Sequence, residues 1–335
     1  MHKRIRTIFQ YLLFLGLGIL FAWLSLKNLD SEKSEQIKIS IKNAKHWLII
    51  PVFAILFFSH FIRALRWRLL IESLGYYPSK ANSFFAVLIG YLVNQGVPRL
   101  GEVVKCTILS RYEKIPADKL IGTIILERII DAITLLIIFA ITLIIQPQLY
   151  SQILEAFFSS APVKGESKEI STVLITVILI AALVIIIALW MIIKKKTVAD
   201  LLFLLKKIGN SILQGIRSIE HLKKRKQFIF LTIILWSLYL SGGYFGFVAL
   251  QETSAYGIKE AFTVLSAGSI GMLATPGGIG AYAFLLQKTM QIYGLSEGIA
   301  LAFGWILWLA QTTVILLGGL ISFVLLPYFN KTKRQ

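Results

Sequence analysis

The sequence predicts an all-α polytopic membrane protein, and this prediction depends on composition, on long apolar runs and on where the basic residues lie. Of the 335 residues, 56% are hydrophobic and 16% are charged, whereas soluble domains carry about 25% charged residues. Several apolar runs approach or exceed the roughly 20 residues that a helix needs to cross a bilayer. The net charge of +18 comes from basic residues between those runs, as in cytoplasmic loops. This arrangement argues against nucleic acid as a partner.

Six full transmembrane helices are predicted, at residues 8–26, 47–62, 123–145, 172–193, 228–250 and 299–326. The first follows a basic N-terminus, and because no small-residue cleavage site comes after it, we expect an uncleaved helix. Two further apolar stretches are interrupted. Residues 84–97 contain Asn94 and Gln95 and are closed by Pro98, and residues 261–293 contain Pro-Gly-Gly-Ile-Gly at 276–280. We predict that each interrupted stretch is a re-entrant hairpin of two broken helices.

The distribution of lysine and arginine supports this arrangement. With both termini cytoplasmic and both interrupted stretches treated as hairpins, 25 Lys and Arg lie inside and 8 outside. If residues 84–97 crossed the membrane fully, 10 would lie inside and 23 outside. The positive-inside rule favours the first topology, although its outer loop 27–46 carries five lysines. Three full spans then separate the two hairpins, so they enter from opposite sides and form an inverted repeat.

We expect a single membrane domain over residues 1–335. Its longest inner loop, residues 194–228, is basic and amphipathic, with apolar residues recurring at helical spacing. This pattern is typical of a helix on the anionic inner leaflet. A helix that packs against the bundle would show the same pattern, and both interpretations stay open.

The broken helices have chemistry that suits an anion. A helix that begins inside a membrane leaves its first backbone N–H groups without intrahelical partners, and those groups and the helix dipole attract negative charge. Gly277, Gly278 and Gly280 would let backbone and ligand approach closely. The alternative is a Gly/Pro kink that only packs helices together.

Charged residues flank the first break and begin the following span. Arg99 and Glu102 adjoin the break, and Glu127, Arg128 and Asp131 follow; Glu127 and Asp131 share a helix face, and Arg128 can reach Asp131 at i,i+3. An ionisable group at the membrane centre costs about 2.5–3.5 kcal/mol. These residues therefore form either a structural ion-pair cluster or a site in which Arg99 and Arg128 bind an anionic headgroup, because guanidinium fits phosphate.

Two further basic features belong to the inner side. The run 63–68, which contains Arg66 and Trp67, is typical of interfacial anchors, and Lys105 on the second arm of the first hairpin would add to a basic vestibule. The one cysteine, Cys106, excludes an intramolecular disulfide. The four histidines are scattered, and we expect no metal and no cofactor.

At these motifs the chain resembles the lysylphosphatidylglycerol synthase transmembrane-region family, the flippase-like domain. The matching features are Arg63-x-x-Arg66-Trp67, Asn94 with Pro98-Arg99-x-Gly101-Glu102, Glu127-Arg128-x-x-Asp131 and Pro276-Gly277-Gly278-Ile279-Gly280, and together they cover about residues 8–326. The resemblance implies the inner membrane of a bacterium or archaeon, and a role with lipids. The family often has a glutamate where this sequence has Ala283, and an arginine in the last span, where this sequence is apolar; either departure would suit a different substrate or lost transport.

The resemblance, together with the charges, predicts a flippase-like lipid transporter for an anionic or polyprenyl-linked lipid. We expect a stand-alone member, because the sequence stops at residue 335 without an aminoacyl-transferase domain, and hence no lysyl-transferase activity. A membrane-embedded transferase acting on a lipid phosphate is the first alternative, although no catalytic motif is present. A helper subunit of a cell-envelope enzyme is the second. Expected partners are a membrane lipid and either a second copy of the chain or a lipid-modifying enzyme. The candidate substrate-binding residues are Arg66, Asn94, Arg99, Glu102, Lys105, Glu127, Arg128, Asp131, Gly277, Gly278 and Gly280.

Overall fold

The computed structural model of the chain describes residues 15–27, 29–97, 99–147 and 222–331. Within these ranges every regular element is a helix. The helices are α1 (Leu15–Leu26), α2 (Ser31–Asn43), α3 (Ile49–Glu72), α4 (Lys80–Gly96), α5 (Leu100–Glu113), α6 (Ala117–Ile145), α7 (Arg225–Ala249), α8 (Ile258–Ala274), α9 (Ala281–Ile292) and α10 (Glu297–Lys331). The all-helical prediction is confirmed.

Among the residues that the structure describes, four helical segments are long and apolar enough to cross a membrane. They are His46–Glu72, Ala117–Ile145, Arg225–Ala249 and Glu297–Lys331, with mean hydropathies between 1.7 and 2.5. Each contains most or all of one predicted span, and α1 is the described part of a fifth. The predicted span 172–193 and most of the amphipathic loop 194–228 lie outside the described residues. A total of six spans and the depth of the hairpins in a bilayer therefore stay predictions.

Four chain segments that were predicted to be cytoplasmic meet at one end of the bundle, which we name the inner end. Lys224 donates to Glu72 at 2.8 Å, joining α7 to α3. Asn82 at the start of α4 donates to Glu113 at the end of α5 (2.6 Å), and it exchanges side-chain hydrogen bonds with Asn330 of α10 (2.8 and 2.9 Å). The charge distribution predicted this grouping.

The outer end of the bundle is formed by segments that were predicted to face the other side of the membrane. Here α2 is a helix where the sequence had suggested only a loop, residues 27–46. Asp30 caps it by accepting from the backbone N–H of Lys33 (2.8 Å), and this bond lowers the pKa of the Asp30 carboxyl. Lys33 pairs with Glu297 at the start of α10 (2.9 Å). This lysine of the outer segment therefore has a structural role.

The helices α4 and α5 form the first hairpin, and their backbones touch. A Cβ atom on Gly101 of α5 would lie 1.8 Å from the carbonyl oxygen of Gly90 in α4. Only glycine permits this approach. Because α4 begins at the inner end and α5 ends there, the pair returns to the side from which it started.

The second hairpin, α8 and α9, is its counterpart at the outer end. Its turn is the 3₁₀ segment Pro276–Gly278, in which Gly277 has φ of +57°, a conformation that side chains other than glycine disfavour. At the open end Tyr256 donates to the backbone oxygen of Tyr293 (3.0 Å). The two hairpins thus begin and end at opposite ends of the bundle, as the inverted repeat predicts.

The tips of the two hairpins are in contact. A Cβ atom on Gly277 would lie 1.8 Å from the side-chain oxygen of Gln95, which lies near the end of α4. Trp308 of α10 donates to the backbone oxygen of Gly277 (2.9 Å), which holds the second tip in place. The interior between the tips and the inner end contains the charged residues.

Candidate functional site

Five charged side chains from three helices meet in the interior, and we name them the buried ion cluster: Arg63 and Arg66 of α3, Lys105 of α5, and Glu127 and Asp131 of α6. Spacings of i,i+3 on α3 and i,i+4 on α6 place each pair on one helix face. The faces of α3 and α6 meet, and α5 supplies the fifth charge from the side of the first hairpin.

The two carboxylates are shared among the three cations. Glu127 Oε2 lies 3.1 Å from Lys105 Nζ, and its Oε1 lies 3.5 Å from both Arg63 Nη1 and Arg66 Nη2. Asp131 Oδ1 accepts from Arg66 at 2.5 Å, while its Oδ2 lies 3.1 Å from Arg63. Charge-assisted contacts of this kind hold all five side chains in fixed positions.

The cluster is buried and carries one positive charge in excess. The side-chain exposures are 9% for Arg63, 0% for Arg66, 8% for Lys105, 1% for Glu127 and 12% for Asp131. Three cations face two carboxylates, and an uncompensated charge in a low-dielectric interior is costly. The composition of the cluster therefore favours one additional anion as its counter-charge.

Arg66 has binding capacity left over. Its Nε and Nη1 atoms are buried and have no hydrogen-bond partner among the described residues. The guanidinium group lies over the ring of Phe228, 5.7 Å from the centroid, which provides some cation–π stabilisation. A ring face does not replace two hydrogen bonds, so these two donors stay available.

A second ion pair lies beside the cluster and is partly exposed. Arg128 Nε and Nη2 both reach Glu102 Oε1, at 2.9 and 2.8 Å, with side-chain exposures of 41% and 29%. The sequence had suggested that Arg128 reaches Asp131 on its own helix. That pairing is not formed, because Asp131 is directed to the two arginines of α3 and Arg128 is directed to α5.

Between the two charged groups is a small recess, formed where α4, α5 and α6 meet. It is lined by Val87, Gly90, Tyr91, Asn94, Gly101, Glu102, Lys105 and Arg128. Asn94 Oδ1 accepts from the backbone N–H of Gly101 (2.8 Å), so one first-turn amide of α5 already has a partner. The recess brings together the positive groups of Lys105 and Arg128 at the beginning of a helix, where the dipole also favours an anion.

Four of the candidate residues lie apart from this assembly. Arg99 is exposed at the tip of the first hairpin with φ of +65°, and it makes no ion pair with any residue that the structure describes. Gly277, Gly278 and Gly280 form the turn of the second hairpin. A Cβ atom on Gly280 would lie 2.2 Å from a backbone oxygen of α1, so Gly280 permits close packing of backbone.

Three residues of the site were missed by the sequence analysis. Arg63 belonged to the interfacial run and to a motif of the resembled family but was not a candidate for binding, although its i,i+3 spacing from Arg66 placed both arginines on one face. Tyr91 and Tyr239 each place a ring against Arg63, with the guanidinium carbon 5.8 and 6.0 Å from the ring centroids. Nothing in the sequence distinguished these tyrosines from the others.

The fold and the site define a polytopic helical membrane protein with a buried, positively charged polar centre. The family model described as "Lysylphosphatidylglycerol synthase TM region" matches residues 9–319, and the chain belongs to this family. A UPF0104 membrane protein of Methanocaldococcus jannaschii is 28% identical over 128 residues, which is 37% of this chain. The match covers only 36% of that relative's length. No solved structure matches the chain.

Proposed function

We propose that the protein is a lipid transporter that moves an anionic or polyprenyl-linked lipid between the two leaflets. The single observation that carries the proposal is the excess positive charge of the buried ion cluster, in a helix bundle of a lipid-related membrane family. A structural cluster would be expected to balance its charges. A cluster that needs an anion to become neutral suits a substrate that brings one.

The headgroup phosphate would enter through the recess. Lys105 and Arg128 line it, and both can bond phosphate oxygens while Glu127 and Glu102 hold them in position. The free donors of Arg66 would provide the next contacts. The acyl chains would stay in the bilayer, because the helices expose apolar side chains there, such as Val103 and Ile125 at more than half of their surface.

The remaining predicted features form part of the same proposal. The protein would lie in the plasma (inner) membrane of a bacterium or archaeon, with the inner end of the bundle in the cytoplasm. The two hairpins would be re-entrant, with their contacting tips near the midplane, as in transporters that bind substrate at broken helices. Exposed Arg99 at the first tip would contact the headgroup as it passes between the tips.

The test is leaflet exchange in liposomes. Purified protein is reconstituted with fluorescent anionic, aminoacylated and polyprenyl-phosphate lipids, and exchange is followed with a membrane-impermeant quencher. We expect exchange above that of protein-free vesicles for at least one lipid. Arg128→Gln should reduce that exchange at least tenfold, because it removes a half-exposed phosphate ligand, and Arg99→Gln should also reduce it.

The matched control is Arg111→Gln. Arg111 is an exposed arginine in the last turn of α5, away from the recess, so its loss should leave exchange unchanged. Exchange that is unaffected in both Arg99→Gln and Arg128→Gln would end the assignment of the site. Absence of exchange with every lipid tested would end the proposal of a transporter.

A further inference from the structure

Four ring side chains form two contacting pairs that Arg63 connects, and we name them the aromatic arc: His60 of α3, Tyr91 of α4, and Trp236 and Tyr239 of α7. The His60 ring lies 5.1 Å from the Tyr91 ring, and the Trp236 ring lies 5.7 Å from the Tyr239 ring. Arg63 is between the two tyrosines and donates from Nε to the Tyr239 hydroxyl (3.2 Å). Because Tyr91 also lines the recess, the arc adjoins the proposed anion site.

Two ring nitrogens of the arc are buried without a hydrogen bond to any described residue. His60 Nδ1 and Trp236 Nε1 are buried, and neither has a hydrogen-bond partner in the ranges that the structure describes. The large majority of buried side-chain polar atoms in proteins have a hydrogen-bond partner, and an unpaired one is costly. The two atoms come from different helices and from the two ring pairs that Arg63 connects, and they indicate a place for a ligand that hydrogen-bonds.

The side chains of the arc indicate which kind of chemical group would bind there. A second phosphate is disfavoured, because Arg63 faces two carboxylates, Glu127 and Asp131, that would repel it. Lys105 and Arg128 each pair with one carboxylate only among the described residues. An ammonium group would need a carboxylate, and the arc has none of its own. Neutral donors and acceptors next to ring faces suit hydroxyl groups on a small carbon skeleton, since the rings cover its C–H surface while His, Trp and Tyr bond the oxygens.

We infer that the aromatic arc binds the hydroxyl-bearing part of the transported headgroup, either a glycerol or a ring polyol such as a sugar, while the phosphate lies at the buried ion cluster. This inference rests on the proposed function and narrows its substrate to a phosphodiester lipid with a hydroxylated headgroup. In such a headgroup the phosphate is bonded to the polyol. In the structure Tyr91 belongs to both the recess and the arc, so the two sites adjoin.

The experiment compares lipids of equal charge that differ in hydroxyl groups. Acyl-labelled phosphatidylglycerol, phosphatidylinositol and phosphatidylethanol each carry one phosphodiester charge, and the last has no headgroup hydroxyl. We expect the wild-type protein to exchange at least one of the two hydroxylated lipids about three to ten times faster than phosphatidylethanol, which is the range for one or two hydrogen bonds. Preference for phosphatidylglycerol would identify a glycerol site, and preference for phosphatidylinositol a ring-polyol site.

The decisive variant is Trp236→Phe, which keeps a ring against Tyr239 but removes the N–H donor. It should bring the exchange rates of hydroxylated lipid and phosphatidylethanol to within about twofold of each other. Trp47→Phe is the matched control, because Trp47 is 67% exposed at the outer end, and it should keep the preference. His60→Phe should act in the same direction as Trp236→Phe.

The outcomes separate this inference from the proposal on which it rests. If none of the three lipids exchanges faster than in protein-free vesicles, the proposal that the protein is a lipid transporter is wrong. If all three lipids exchange at the same rate in the wild-type protein, the proposal of a transporter is supported and the inference of a polyol subsite is wrong. A preference that persists in both Trp236→Phe and His60→Phe, with folding verified by size-exclusion chromatography, would also overturn the assignment.

Discussion

Glu127 should be the residue whose replacement most destabilises the interior. Its side chain is 1% exposed and contacts Lys105, Arg63 and Arg66. Glu127→Gln would leave the three cations of the buried ion cluster with one carboxylate of that cluster, Asp131. Removing one partner of a buried ion pair costs about 3–5 kcal/mol, and we expect a loss of stability in that range.

A second substitution can restore the charge balance. In Glu127→Gln combined with Lys105→Met, two arginines face Asp131, so the excess is again one positive charge, as in the wild type. Coupling energies between residues in contact are about 0.5–3 kcal/mol. The double variant should therefore be more stable than Glu127→Gln alone by about 1–3 kcal/mol, although it lacks two polar groups.

The chain supplies a reporter for this measurement. Cys106 is its only cysteine, is 2% exposed and follows Lys105 on α5. A thiol-reactive fluorogenic reagent added to the detergent-solubilised protein labels Cys106 only when the structure opens, and with fast reclosing the rate follows the opening equilibrium. A destabilisation of 3–5 kcal/mol corresponds to faster labelling by a factor of roughly a hundred to several thousand.

Glu102→Gln makes the same chemical change in the half-exposed pair with Arg128. Such pairs contribute about 0–1 kcal/mol, so its labelling should accelerate no more than about fivefold. Equal labelling rates for Glu102→Gln and Glu127→Gln would refute the argument that burial makes the cluster costly to break. A double variant no more stable than Glu127→Gln alone would refute the argument from charge balance.

Three further substitutions test the packing, and Cys106 labelling reports on each. Gly101→Ala should destabilise by about 3 kcal/mol or more, because its Cβ would lie 1.8 Å from a backbone oxygen of α4. Its control, Gly122→Ala, should be neutral or stabilising, because the new Cβ would lie within 4 Å of no other described part of the chain beyond its own helix backbone. Gly277→Ala should cost about 1–2 kcal/mol for its positive φ alone, with a further cost from the glutamine oxygen 1.8 Å away; wild-type labelling would contradict the described turn. Trp67→Phe should cost about 1–3 kcal/mol, since the fully buried indole donates to Thr123 at 2.9 Å, and a cost below 0.5 kcal/mol would show that this bond has little importance.

Hydropathy and charge predicted much of the architecture, because the membrane imposes simple requirements on length and on the position of lysine and arginine. The broken stretches around residue 98 and residues 276–280 were identified as two hairpins for the same reason. The helix α2 was missed because it is polar and too short to span, although Asp30 before a run of Glu, Lys and Gln is a capping signal.

The composition of the site was harder to predict, since spacing along one helix does not determine which neighbouring helix a side chain meets. Glu127 and Asp131 were correctly placed on one face. The i,i+3 rule also allowed Arg128 to bond Asp131, but the arginines of α3 bind that carboxylate at 2.5 and 3.1 Å. Arg63 looked like an interfacial anchor because the sequence gives no depth for a residue near a span's end. Only the packing of α3 against α6 shows that it is buried.

The paired amides of Asn82 and Asn330 have a consequence for how the protein is made. They are separated by 248 residues, so α4 is synthesised long before α10 can meet it. Until then the side-chain amide of Asn82 can hydrogen-bond to Glu113 of its own hairpin but not to Asn330. The first hairpin is therefore inserted before α10 has been synthesised. Its packing against α10 is among the last steps of assembly. A ribosome-bound chain that stops before residue 330 should lack the contact between Asn82 of α4 and Asn330 of α10 at the inner end.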